Sequence, residues 1–216
     1  MYFTVFATLL AHGQSDGHAL NKRDSNSSAQ DARQARSNLD ESPFKLKKGD
    51  NEFGVCGGGS WTSPTVIGTV EERKFLTFGL RYGRIFAASR RVAYEYTIDV
   101  IPTAIVFQPA GQSSAYGAGI SPIGFKFNFR RHERVKPFVG LSGGFLYFNQ
   151  PTPVNAPGAT RFNFTFDFGG GIQVFVQPKK AVTLGYRFQH ISNAYISDVN
   201  PGLDANVFYA GFSVFK

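Results

Sequence analysis

The chain has 216 residues, enough for one domain and well suited to a small β-barrel, and it carries 23 Phe, 24 Gly and 9 Tyr against one Met and one Trp. That balance favours strands over helices. No apolar run approaches the roughly 18–20 residues of a membrane helix, which excludes a helical membrane protein but not a membrane barrel. The formal charge of +8 suits a membrane surface or a phosphorylated lipid, and the basic residues gather on no helix or motif that would read nucleic acid.

Residues 1–20 open with an apolar stretch (Tyr2, Phe3, Val5, Phe6, Leu9, Leu10) followed by small and polar residues. This is similar to the hydrophobic part of a secretory signal, although no Lys or Arg precedes it, and it predicts export. Residues 21–50 are mostly Ser, Asn, Asp, Gln, Lys and Arg, a composition that cannot bury a core and predicts a disordered polar linker. His12 and His18 fall in these two segments and carry no motif. The lone Cys56 can form no internal disulfide and no metal cluster, and is read as a small wall residue. No motif calls for a metal or other cofactor. His132-Glu133 lacks the second His of a zinc-binding helix, and the glycine run at 54–59 lacks the Lys-Ser/Thr of a phosphate loop.

From 51 to 216 the hydrophobic period becomes two, in eight segments: 51–60, 74–86, 91–106, 114–130, 135–149, 161–176, 180–192 and 205–216. Phe162, Phe164, Phe166 and Phe168 alternate with Asn163, Thr165 and Asp167; Phe125, Phe127 and Phe129 alternate with Lys126, Asn128 and Arg130; Tyr94, Tyr96 and Ile98 alternate with Glu95, Thr97 and Asp99. Each strand therefore has an aromatic face and a polar, often charged, face.

Alternation alone does not say which face points outward, and a lipocalin-like soluble barrel would put the aromatic face inside. Three features favour the membrane arrangement. The connections alternate between short (87–90, 131–134, 177–179) and longer, Pro-, Gly-, Ser- and Asn-rich (61–73, 107–113, 150–160, 193–204), as periplasmic turns and external loops of outer-membrane barrels do. Several strands exceed the usual length, as tilted bilayer-crossing strands must. The chain also ends on an aromatic strand, 207–215, resembling the C-terminal assembly signal of outer-membrane proteins, with Lys216 leaving the aromatic residue penultimate. The predicted fold is thus an all-β, eight-stranded antiparallel barrel in the bacterial outer membrane. Glu95, Asp99, Lys126, Arg130, Asp167 and Arg187 are expected to fill its interior, which at eight strands holds side chains and no wide channel.

Parity through the last two strands isolates one constellation. Val182, Leu184, Tyr186 and Phe188 share the apolar face, and the same parity continues through His190 and Ser192. Phe208, Ala210, Phe212 and Val214 form the apolar face of the last strand, and extending it backward gives Asn206 and Asp204. His190, Ser192 and Asp204 should then meet near the outer edge of the apolar belt, where polar groups need partners or a function. They supply a nucleophile, a base and an acid to orient the base, and a nearby backbone N–H with the Asn193 amide could stabilise an oxyanion. A His-x-Ser pair is common, however, and polar residues at a barrel rim also meet lipid headgroups, so a non-catalytic surface or adhesin barrel is the competing reading.

The segment Tyr186-Arg187-Phe188-Gln189-His190-Ile191-Ser192-Asn193-Ala194, followed by Asn200-Pro201-Gly202-Leu203-Asp204, resembles the PagL-type lipid A 3-O-deacylases and related acyloxyacyl-hydrolase-like proteins. That resemblance implies an eight-stranded outer-membrane esterase acting on lipid A of lipopolysaccharide. In it Ser192 matches the nucleophile, His190 the general base and Asn193 the oxyanion partner. Asp204 takes the place of the triad acid, which is Glu in the characterised type. Tyr186, Phe188, Phe208 and Phe212 are then expected to contact acyl chains. The oligomeric state is not fixed by any of these residues.

Overall fold

The period-two segments form eight strands: β1 (Asn51–Ser60), β2 (Lys74–Ala88), β3 (Val92–Phe107), β4 (Ala115–Phe129), β5 (Val135–Thr152), β6 (Thr160–Gln177), β7 (Lys180–Ser192) and β8 (Leu203–Phe215). The structure is a computed structural model that describes Ser42–Lys216 together with Gln30, Asp31, Arg33, Gln34 and Ser37. Met1–Glu41 and Ser42–Lys216 form separate units, and the described residues of the first are helical. The expected signal segment, 1–20, lies outside the described residues.

Each strand pairs antiparallel with its chain neighbours, and β1 also pairs with β8, from Glu52 opposite Phe215 to Gly59 opposite Phe208. The ladder therefore closes and leaves no unpaired strand edge, the condition under which strands can sit in hydrocarbon. Pro102 and Pro122 cannot donate to the ladder, and the registers of β3 with β4 and of β4 with β5 shift beside them, between Ile101 and Ala104 and between Ile120 and Ile123.

The aromatic faces point outward. Phe164, Phe166 and Phe168 are 42%, 45% and 49% exposed, and every strand adds exposed apolar side chains to the same outer surface, from Phe53 on β1 to Phe212 on β8. An apolar belt that runs all the way round a closed barrel would be untenable in water but matches a bilayer.

The inward faces pack in three tiers, a polar one between two apolar ones. At the end where the connections are short, Leu46, Ile85, Ala93, Phe175, Ala181 and Phe215 form an apolar cluster with Phe44 against it. Two of its members come from the segment expected to be polar linker. Its last residues close this end of the barrel, with Leu46 N–H donating to Arg131 O at 3.0 Å and Gly49 N–H to Ile85 O at 2.8 Å. At mid-height the interior is charged: Lys126 Nζ lies 2.7 Å from Glu52 Oε2 and 3.3 Å from Glu95 Oε2, and Arg81 meets Asp99 at 2.6 Å. Ser142 donates to Asp167 at 2.6 Å. The space left among Arg81, Lys126, Asp167 and Arg187 is a cavity of about 30 Å³, room for a water and not for a channel. Toward the long loops, Phe75, Ile101, Val106, Leu146, Phe148, Ile191, Leu203 and Val207 form a second apolar cluster.

Arg130 departs from the expected interior placement. It follows β4 in the left-handed region, at φ 51°, and turns its side chain out to an exposed pair with Glu133 at 3.5 Å, because the strand breaks into the β4–β5 turn one residue earlier than the alternation suggests.

Candidate active site

β7 and β8 carry the site at the long-loop end of the barrel. Their register places His190 directly opposite Asp204, with Phe166 opposite His190 and Phe164 opposite Ser192 on the β6 side. Directly opposed residues on one face of an antiparallel pair are close neighbours, so a short acidic side chain is enough to reach the imidazole. His190 Nδ1 lies 2.6 Å from Asp204 Oδ1.

The second carboxylate oxygen is held from the far side of the sequence. Residues 61–73, the β1–β2 loop, fold across the head of β8, and the backbone N–H groups of Val66, Ile67 and Gly68 all donate to Asp204 Oδ2, at 2.9, 2.7 and 2.9 Å. Three successive N–H groups converging on one oxygen form an anion nest. With every neighbour donating to it, Asp204 acts as an acceptor-only, ionised carboxylate, and Nδ1 of His190 must carry the proton of the 2.6 Å bond. Nε2 of the neutral ring is then left with its lone pair, the tautomer a general base requires.

Two glycines make this packing feasible. A Cβ on Gly202 would stand 2.6 Å from His190 Cε1, and one on Gly68 would stand 2.4 Å from Gly202 O. The β1–β2 loop, the β7–β8 loop and the imidazole are thus stacked at backbone contact. Thr69 and Val70 N–H groups also donate to Gly202 O, and Val70 forms a parallel bridge with Leu203. Nothing in the sequence marks Val66, Ile67 or Gly68, since backbone donors carry no side-chain signature and lie more than 130 positions from Asp204.

The outward parity of Ser192 and Asp204 holds, yet both are covered: Ser192 is 7% and Asp204 0% exposed, while His190 is half-buried. Among the described residues Ser192 Oγ makes no hydrogen bond, so the geometry joins His190 to Asp204 and leaves Ser192 two positions along the same strand face. That spacing sets the two Cα atoms about 6.6 Å apart.

Asn193 does not sit as expected for an oxyanion donor. Its Nδ2 donates to Gly158 O at 2.8 Å and to Val199 O at 2.9 Å, and its Oδ1 accepts from Tyr195 N–H at 2.9 Å. Its own N–H goes to Asn200 Oδ1 at 3.0 Å. The side chain is spent on fixing the β7–β8 loop and tying it to the β5–β6 loop. Immediately after it, Ala194 and Tyr195 both hold positive φ, at 50° and 62°, a conformation that non-glycine residues adopt only under local constraint. Of the four aromatic side chains expected to meet acyl chains, Tyr186, Phe208 and Phe212 are exposed on the outer wall. Phe188 is not; it is 6% exposed, with its ring 5.4 Å from that of Phe168.

The lipid A 3-O-deacylase (PagL) family profile matches residues 75–213 of the chain. The chain belongs to that family. Membership in the PagL family assigns it to lipid A deacylation, a hydrolase activity, at the outer membrane. Among solved structures it is similar to the outer membrane enzyme PagL, at a TM-score of 0.60 and 14% identity over 74% of this chain and 97% of that one. It is also similar to Neisserial surface protein A (13% identity, 76% and 96% covered, TM-score 0.49) and to the attachment invasion locus protein Ail of Yersinia pestis (13%, 79% and 100%, 0.47). At 14% identity the PagL structure speaks to the barrel fold alone. No curated protein sequence matches the chain.

Proposed function

We propose that this PagL-family barrel removes the 3-O-linked acyl chain of lipid A as a serine esterase, with Ser192 as nucleophile, His190 as general base and Asp204 as the acid that orients it. The observation that carries the proposal is the 2.6 Å contact of His190 Nδ1 with an Asp204 carboxylate already fixed by three backbone N–H groups. A carboxylate so restrained holds the imidazole in one tautomer and stabilises the imidazolium that forms during reaction.

In the reaction, His190 Nε2 takes the proton of Ser192 Oγ as Oγ attacks the ester carbonyl carbon. The carbonyl π pair moves to oxygen, and the tetrahedral oxyanion collapses by expelling the sugar oxygen, which takes the proton back from Nε2. Water then attacks the acyl-enzyme, its proton passing through His190 to Ser192 Oγ as the fatty acid leaves. The closing of Ser192 on Nε2 belongs to the complex with substrate, since such hydrogen bonds are commonly long in the free enzyme. With the Asn193 amide engaged elsewhere, the oxyanion donor proposed is the N–H of Ala194, which has no hydrogen bond among the described residues. Asn193 fixes the turn that presents it. Tyr186, Phe208 and Phe212 lie on the outer wall below the site, where acyl chains would run.

The test is mass spectrometry of lipid A from cells expressing the chain or Ser192→Ala. The parent should release 3-hydroxy fatty acid from the 3-O position, and the variant, folded to the same extent, should release none. Undiminished release by Ser192→Ala would sink the nucleophile, and loss of a chain from another position would sink the 3-O assignment.

A further inference from the structure

The apolar belt has a notch. On β1 the outward-facing row begins with Phe53 and Val55 and then loses its side chains at Gly57 and Gly59. On either side the neighbouring strands keep theirs: Phe208 on β8 stands opposite Gly59, and Phe78 on β2 stands opposite Gly57. The result is a groove of about 900 Å³ on the outer wall, floored by the β1 glycines, bordered by Phe208 on one side and by Leu76, Phe78 and the start of the β3–β4 loop on the other, with Trp61, Glu72 and Lys74 toward its upper end. That volume is at the upper end of what small-molecule sites enclose.

We infer that this groove holds an acyl chain of the lipid A substrate other than the one hydrolysed. The inference rests on the lipid A reading above. The groove lies in the belt that faces hydrocarbon, so its occupant is a lipid chain. It opens at the long-loop end, on the same leaflet as the catalytic residues, with a cation and an anion at its mouth to meet a phosphorylated, hydroxyl-bearing headgroup. It adjoins the site across Phe208. Phe208 belongs to the outer row of Asp204, four residues and about 13 Å along β8, and its ring packs 5.3 Å from that of Tyr186. The β1–β2 loop serves both, lending Trp61 to the groove and the three N–H groups to Asp204. A lipid with several chains on one headgroup can place one chain in the groove while another presents its ester to Ser192.

Trp61 is the chain's only tryptophan, so its emission reports the mouth of the groove directly. The experiment titrates lipid A, and separately dioleoyl-phosphatidylglycerol, into the full chain carrying Ser192→Ala in detergent micelles, with and without Gly57→Leu. A Cβ at Gly57 meets only Phe78 Cδ2 at 3.6 Å and Thr77 O at 3.7 Å, ordinary contacts, so a side chain there fills the groove without displacing backbone. Lipid A is expected to shift Trp61 emission to the blue with a saturable curve, and Gly57→Leu to weaken that binding about tenfold. Identical curves with and without Gly57→Leu overturn the inference, as does an equal saturable response to the phospholipid. Should Gly57→Leu fail the heat-modifiable mobility check for a folded barrel, Gly57→Val makes the same test with less volume. The emission readout needs no turnover, so it stands or falls separately from the Ser192 mechanism.

Discussion

Asp204 is one methylene shorter than the Glu of the characterised type, and its surroundings show how a shorter acid reaches His190. It sits directly across the ladder from His190, and the β1–β2 loop brings three N–H groups to its far oxygen. Asp204→Asn keeps the shape but puts an NH₂ either against three N–H donors or against His190, and so removes the tautomer control. Deacylation should fall about 10³–10⁴-fold in kcat, as loss of a triad acid does elsewhere, with the barrel still folded by its gel mobility. Asp204→Glu should also fall, about tenfold or more, because a longer side chain cannot keep one oxygen in the nest and the other at 2.6 Å from Nδ1. Retention of parent activity by Asp204→Glu would show that the nest does not set the position of the acid. The pairing of His190 with Asp204, with Ser192 on the same strand face, was legible because strand parity is a property of sequence. The role of Asn193 was not legible, since its bonds to Gly158 and Val199 depend on how two loops happen to meet.

At the level of elements, the strands were the readable part and the loops were not. Period-two alternation places β1–β8 within a few residues of their observed ends, and the outward Phe rows of β4 and β6 follow directly from it. The exceptions arise where a turn or a neighbouring ring intervenes, as at Arg130 and Phe188. The β1–β2 loop shows most clearly what alternation cannot reach, because it acts through backbone N–H groups and through glycine. A side chain on Gly68 would meet Gly202 O at 2.4 Å and must push the loop off β8, opening the nest and loosening Gly202 behind the imidazole. Gly68→Val is therefore expected to lower kcat about tenfold to a hundredfold while leaving unfolding in urea within about 1 kcal/mol of the parent, since the loop adds little to the ladder or to the buried clusters. The measurement is deacylation of lipid A in micelles beside a urea titration. Full activity in Gly68→Val would mean that Asp204 keeps its orientation without the loop.

At the scale of the whole molecule, the barrel is turned inside out relative to a soluble one, and its stability has to come from a different distribution of forces. The outer belt gains from lipid, the two apolar clusters seal the ends, and between them lies a charged tier in which Lys126 faces Glu52 and Glu95. Glu52 is further held by Ser213 and by Gln173 at 3.1 Å, and Asn128 donates to Glu95 at 2.8 Å. A tier of this kind is stable only as a set, because each charge is desolvated and depends on its partners. Lys126→Met removes the cation paired with two buried carboxylates and should destabilise the barrel by about 3–5 kcal/mol, the usual consequence of orphaning a buried ion pair. Adding Glu52→Gln to Lys126→Met should recover part of that loss, since the amide still offers an acceptor to Ser213 and no longer buries a charge. Equilibrium unfolding in urea, read by gel mobility, compares parent, single and double variants. Because the tier lies well below Ser192, deacylation per folded molecule should stay within about twofold in all three. A double variant less stable than Lys126→Met would show that Glu52 is held by its hydrogen bonds and not by Lys126, and that the tier is a polar network in which the ion pair is incidental.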